Sequence, residues 1–215
     1  MSARTTRWAL LAALLGFGAL GCDDSGSDED GGPSMMTGDD GGSMMTGDDA
    51  GSSSGEDAGS MMSGDCPDGP LDAPRPGCRP TPVPDSGDPY RDCVDRINQF
   101  RWECQCLPPL ERWREGEDCA DQQAEYDGEG GGAHAGFRDN ICSPRGNGQN
   151  ECPGYSSLDQ VMSLCLQQMW DEGPGEPFEE HGHYLNMTNP RFNKVACGFY
   201  TTADGAVWAV QNFSP

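Results

Sequence analysis

The distribution of apolar residues divides the chain into regions of different character. A short apolar run lies near the N-terminus, from Trp8 to Leu20. The following segment, Asp23 to Asp65, contains no Leu, Ile, Val, Phe, Tyr or Trp. Such a segment buries too little apolar surface to offset the entropy of ordering the chain. Regularly spaced apolar residues return only near residue 88, so the pattern predicts one folded domain, 88–215, behind a disordered segment, 22–65.

Three helices are predicted inside this domain. Apolar residues three and four apart predict a helix over Tyr90–Cys104, which the Pro-Pro pair of Leu107–Leu110 should end. A second, less apolar helix is predicted over Trp113–Tyr126, followed by a flexible break at Gly128–Gly132. The third opens at a capping box, Ser157-x-x-Gln160. Its buried stripe comprises Leu158, Val161, Met162, Cys165, Leu166, Met169 and Trp170.

The C-terminal part of the domain alternates apolar and polar residues as strands do. Lys194–Thr202 and Ala206–Phe213 are predicted to pair as an antiparallel hairpin around the turn Ala203-Asp204-Gly205. Helices first and a hairpin last predict an α+β domain or an α/β/α layered sandwich.

The first residues are typical of an export signal. Arg4 and Arg7 precede the apolar run, which is too short to span about 30 Å of hydrocarbon as a helix. The run ends in Ala19-Leu20-Gly21-Cys22, which resembles the lipobox of bacterial lipoproteins. Residues 1–21 are thus interpreted as a lipoprotein signal peptide and Cys22 as the lipidated residue. Ordinary cleavage that leaves a free thiol is the alternative, and the choice between inner and outer membrane stays open.

The segment 22–65 is interpreted as an acidic stalk rich in Gly, Ser and Met. Its repeats are Ser34–Asp40, Ser43–Asp49 and Ser60–Asp65. Paired methionines are possible ligands for soft metals such as Cu(I), but a low-complexity stalk with drifting repeats is the preferred interpretation. Residues 66–87 are rich in proline and are interpreted as an irregular collar of the domain.

Charge and composition restrict the function. The chain has 36 acidic against 13 basic residues and a formal charge of −23. Nucleic-acid binding requires a basic surface that displaces counterions, so this class is excluded. An apolar content of 34% excludes a polytopic membrane protein.

The cysteine count predicts a disulfide framework. Of 11 cysteines, ten remain when Cys22 is set aside, an even number that favours five disulfides in an oxidising compartment. A metal site built from cysteines is disfavoured because no Cys-x-x-Cys pair occurs. Cys104 and Cys106 are expected to form disulfides with two different partners. A local bridge between Cys142 and Cys152 is one hypothesis for the connectivity. The ten are Cys66, Cys78, Cys93, Cys104, Cys106, Cys119, Cys142, Cys152, Cys165 and Cys197.

The segment from Gly182 to Gly198 resembles the signature of the CAP superfamily, which includes cysteine-rich secretory proteins, antigen five and plant pathogenesis-related proteins. The matching parts are Gly182-His183, Asn189-Pro190-Arg191-Phe192 and Val195 to Gly198. Val207–Phe213 is similar to the last strand of the family, and Ile97–Arg101 and Leu107–Leu110 are similar to its first helix and the step that follows. The resemblance implies the SCP-type domain fold for about 90–213.

The resemblance also implies a cleft lined by two histidines and two glutamates. The histidine positions correspond to His134 and His183, and one glutamate corresponds to Glu172. Gln149 stands where the family has its other glutamate. His134, Glu172 and His183 could bind Zn²⁺ or a similar divalent cation with water at the open positions. On a strand, His181 and His183 would face the same way and could form a fortuitous cation site with Glu179 and Glu180. The preferred interpretation of His181 is a mobile acidic loop that precedes the strand.

Three functions follow as hypotheses. The leading one is a non-catalytic binding module, tethered to the bacterial envelope through its lipid, that holds a small molecule, a lipid or an envelope component in the cleft. The second is a metal-dependent peptidase or esterase with Glu172 as base, which the neutral Gln149 disfavours. The third is a structural envelope protein with a vestigial cleft.

Overall fold

The structure is a computed structural model that describes residues 66–215. The predicted signal peptide, the lipidated Cys22 and the stalk lie outside these residues. Within 66–215, no helix combines the length and apolarity that crossing a bilayer requires. The elements are α1 (Pro89–Gln99), β1 (Glu111–Arg112), α2 (Glu117–Tyr126), α3 (Ala135–Asp139), β2 (Gly148–Tyr155), α4 (Leu158–Gln160), α5 (Leu166–Asp171), α6 (Phe178–Thr188), β3 (Lys194–Thr201) and β4 (Val207–Ser214).

The first predicted helix is confirmed. The Asp88 side chain caps α1 by accepting the backbone N–H of Arg91, and Pro89 occupies the first turn, where its missing N–H costs nothing. After α1 the helix continues as a π-helical stretch, Phe100–Cys104, and it has ended before Leu107.

The second helix begins later than the prediction. Arg114–Gly116 forms a 3₁₀ turn, and α2 starts only at Glu117. The glycine segment that follows is a single π-type turn, Asp127–Gly131, in which Gly130 has φ 113° and leaves the helical path.

The predicted cap of the third helix is confirmed, because the Ser157 hydroxyl accepts the N–H of Gln160 at 3.2 Å. A π-helical stretch, Val161–Cys165, joins α4 to α5. The prediction of an acidic loop around His181 is wrong, since Phe178–Thr188 forms helix α6. Glu179 and Glu180 lie in its first turn, where acidic side chains favour the positive end of the helix dipole.

The four strands form one sheet in the order β1-β3-β4-β2. β3 and β4 pair antiparallel from Lys194↔Ser214 to Thr201↔Val207, which confirms the C-terminal hairpin. β2 pairs antiparallel with β4 and is an edge strand of this sheet. Pro153 is tolerated there because an edge strand can lack one ladder N–H, and the register shifts between Cys152 and Tyr155.

The alternation of side chains along the strands separates two helical layers. Val195, Cys197 and Phe213 face one side of the sheet and pack with α1, α5 and α6 in the larger core. Val210 faces the other side and packs with Ala120 and Ala124 of α2. The layered α+β architecture predicted from the sequence is thus confirmed.

Five disulfides join the ten cysteines of the described region. The hypothesis of a Cys142–Cys152 bridge is wrong, because Cys142 pairs with Cys119, and Cys152 pairs with Cys165 on the facing helix. Cys93–Cys197 ties α1 to β3. As expected, Cys104 and Cys106 have different partners, Cys78 and Cys66. These two bonds fasten residues 66–87, which contain no helix or strand, to the end of the first helix.

Replacing Gly198 by alanine is expected to destabilise the domain by about 3 kcal/mol or more. An added Cβ would lie 2.2 Å from the backbone carbon of Ala120 and 2.3 Å from the backbone nitrogen of Asp121, so α2 would have to move off β3. Gly205→Ala is the matched control. It has φ 88° and open space around it, and its cost should stay near about 1 kcal/mol. Urea denaturation of both variants measures the difference, and equal losses would contradict the close approach of α2.

Candidate functional site

The candidate site lies at the edge of the sheet that β2 forms, where the two helical layers meet. Gln149 points to the layer of α2, where its side chain contacts Gln123. Glu151, two residues further along β2, points the same way. Asn150 points to the opposite layer and donates to the backbone carbonyl of His183 at 2.9 Å. The edge strand therefore brings His134 from one layer close to His183 from the other.

His183 is held by Glu172. Its Nδ1 lies 2.5 Å from Glu172 Oε1, and its backbone N–H donates to Glu172 Oε2 at 3.0 Å. The backbone N–H of Tyr184 also reaches Oε2, at 3.4 Å. A carboxylate only accepts hydrogen bonds, so Nδ1 is the donor and Nε2 of the neutral ring keeps its lone pair.

His134 is held by the amide of Gln149 at the corresponding nitrogen. Its Nδ1 lies 2.7 Å from Gln149 Oε1. The Gln149 amide nitrogen donates to Gln123 Oε1 at 3.0 Å, and Asn212 donates to the same oxygen at 2.8 Å. This buried chain of amides directs the Gln149 oxygen at the imidazole, so Nδ1 of His134 is the donor here as well.

The imidazoles of His134 and His183 are neighbours. Their ring centroids are 6.4 Å apart with an interplanar angle of 30°, and their side chains are 43% and 34% exposed. A zinc–nitrogen bond is about 2 Å long, so two rings that share one zinc ion stand no more than roughly 6 Å apart between centroids, slightly less than the 6.4 Å seen here. Within 66–215, no three His, Cys, Asp or Glu side chains converge as a metal-ligand group, and Glu172 contacts Nδ1 of His183.

A cavity of about 240 Å³ adjoins His183. Glu151 and Glu172 contribute its carboxyl groups, and Met169 and Tyr155 line it as well. Pockets for drug-sized ligands are typically about 300–1,000 Å³, so this volume suits a small ligand or a single side chain. The other lining residues are Pro153, Cys165 and Gln168.

His181 lies apart from this arrangement. Its Nδ1 bonds the backbone carbonyls of Glu172 and Gly173, at 2.7 Å and 3.0 Å. Residues two apart on a helix point in nearly opposite directions, so His181 and His183 do not face the same way, as they would on a strand.

Two buried carboxyl groups near His134 were not predicted from the sequence. Glu151 is 3% exposed and accepts the backbone N–H of His134 at 2.6 Å. Asp127, at 1% exposed, accepts the N–H of Gly136 at 2.7 Å. Burial raises the pKa of Glu151 to about 8 and also raises the pKa of Asp127. Recognising 148–155 as a strand would have placed Glu151 on the same face as Gln149.

Two of three comparisons with known proteins found a match. One solved structure, of BmVAL-1, aligns with a TM-score of 0.44 and 20% identity over 65% of this chain and 80% of that one. A search of curated proteins gave no match. The model of the cysteine-rich secretory protein family, CAP, matches residues 94–213, which is more than half of the chain. The chain therefore belongs to the CAP family.

Proposed function

We propose that this CAP domain is a non-catalytic binding module that holds a small ligand, together with a divalent cation, in the cleft of His134 and His183. The supporting observation is the convergence of the two imidazoles from opposite layers, each with Nδ1 fixed by a side-chain oxygen. Metal-ligating histidines typically have such a partner at the other ring nitrogen. The two Nε2 atoms would bind the cation and water would complete its coordination, with Glu172 and Gln149 orienting the rings.

The ligand would occupy the cavity of about 240 Å³ beside His183. Its volume favours a small molecule, or one end of a longer one, over full enclosure of a lipid. A lipid anchor at Cys22 would hold the module at the bacterial envelope, and the five disulfides are typical of an exported protein in an oxidising compartment.

A hydrolase is less well supported. Glu172, the candidate base, already accepts hydrogen bonds from the imidazole and backbone of His183 and from the backbone of Tyr184. A base so engaged would have to break these contacts before it could take a proton from water.

Zinc titration by calorimetry tests the proposal. His134→Ala and His183→Ala should each weaken zinc binding at least about 10-fold, because each removes one of two protein ligands. His181→Ala is the matched control and should bind like the wild type, since its imidazole bonds backbone carbonyls. Equal loss in all three variants would indicate non-specific binding, and no binding by the wild type would favour a vestigial cleft.

A further inference from the structure

Glu151 contacts the same imidazole as Gln149 does. The two residues stand two apart on β2 and thus share a face of the strand. Besides accepting the His134 N–H, Glu151 Oε2 lies 3.6 Å from His134 Nδ1. Each histidine of the cleft consequently has a carboxyl group beside it. Glu172 bonds both the backbone and the ring of His183, and Glu151 bonds the backbone of His134 and approaches its ring.

The carboxyl group of Asp127 lies next to that of Glu151. The two carboxyl groups lie within hydrogen-bonding reach of each other. Glu151 Oε1 and Asp127 Oδ2 are both buried, and neither has an N–H or O–H partner in the described part of the chain. Glu151, on β2, and Asp127, in the turn after α2, are thus neighbouring carboxyl groups that both bond the segment carrying His134.

The two carboxyl groups bond the turn that carries His134. His134 has φ 63°, a left-handed conformation in which Cβ crowds the following carbonyl oxygen. Such a conformation persists where the surrounding contacts determine it. Glu151 accepts the N–H of His134 and Asp127 accepts that of Gly136, so both carboxyl groups fix the backbone on which the imidazole stands.

We propose that Glu151, supported by Asp127, is a positioning residue that holds the His134 imidazole in the cleft. This inference rests on the proposed function only in its consequence for ligand binding, because the placement of the ring can be measured without a metal. Neither composition nor the family resemblance assigns a role to Glu151 or Asp127.

Nitrogen-15 NMR of the histidine side chains in the metal-free domain provides the first test. Glu151→Ala should shift the His134 ring signals and leave those of His183 unchanged. Glu151→Gln keeps an oxygen for the His134 N–H and an N–H for Asp127, so its His134 signals should return close to those of the wild type. Glu172→Gln, the matched control, should change the His183 signals and spare those of His134.

Zinc titration of the same variants provides the second test. Loss of such supporting contacts typically costs 10–100-fold in metal affinity, so Glu151→Ala should bind zinc at least about 10-fold more weakly, and Glu151→Gln should recover most of the affinity. If the alanine variant does not fold, Glu151→Asp replaces it, because its shorter side chain cannot reach the His134 N–H. Unchanged His134 signals in Glu151→Ala, or equal changes at both histidines, would overturn the assignment. A wild type that binds no zinc would overturn the proposed function alone.

Discussion

Removing the disulfide between Cys93 and Cys197 should lower the free energy of unfolding by about 4–5 kcal/mol. The bond joins residues 104 apart in sequence, so its loss frees the largest loop closed by any disulfide of the described region. Restricting so long a loop in the unfolded chain contributes about 4.7 kcal/mol in the chain-entropy model. Denaturant unfolding of Cys93→Ala/Cys197→Ala under non-reducing conditions measures this loss.

The Cys152–Cys165 bond provides the matched control. It also lies in the larger core, but it joins residues only 13 apart. A loop of that size contributes about 3 kcal/mol, so Cys152→Ala/Cys165→Ala should remain more stable than the first double variant by roughly 2 kcal/mol. Losses of equal size would mean that local packing, and not loop length, sets the contribution of these bonds.

Raising the pH from 5 to 9 should destabilise the domain by several kcal/mol. The pKa of Glu151 is about 8 in the folded state, against an ordinary value of 4.5, because burial disfavours the charged form. The folded state thus binds more protons than the unfolded chain between these values. The contribution of Glu151 to the free energy of unfolding is fully present below about pH 4.5 and is lost as the pH rises through about 8. The loss amounts to about 1.4 kcal/mol for each unit by which the two pKa values differ.

The groups around Glu151 determine how that prediction is checked. Asp127 and His134 contact it, and Glu172 and His183 line the same cavity. Asp127 has a raised pKa as well, so it contributes with the same sign. Glu151→Gln removes the titrating group, and its stability should vary much less over this range and exceed that of the wild type at pH 9. Glu172→Gln should retain the wild-type slope. A slope unaffected by Glu151→Gln would contradict the assignment to Glu151.

Much of the fold was predictable because local patterns and burial agreed. The apolar spacing of α1, the Ser157 cap and the alternation along the C-terminal hairpin each correspond to an element whose pattern matches its packing. β2 could not be predicted in this way. Its segment, Gly148–Tyr155, contains Gly, Pro and polar residues that favour no strand, and its conformation comes from pairing with β4.

α6 was missed for a related reason. The residues Phe178–Thr188 are rich in charged and polar side chains and bury only Tyr184 and Met187, so little apolar periodicity marks them as a helix. Glu172 accepts two backbone N–H groups of α6, at His183 and Tyr184. Part of what fixes this helix is therefore a contact with another element, which no local pattern reveals.

The residues and their spacing were enough to predict the family, the layered α+β class and an even set of cysteines, because these depend on local spacing, on motifs and on counting. The family resemblance also singled out His134, Gln149, Glu172 and His183. The three-dimensional fold was needed to show which cysteines pair, how the two imidazoles approach each other, and that Glu151 and Asp127 bond the backbone around His134. These residues lie far apart in the chain, and the pairing of β2 with β4 places Gln149 and Glu151 beside His134.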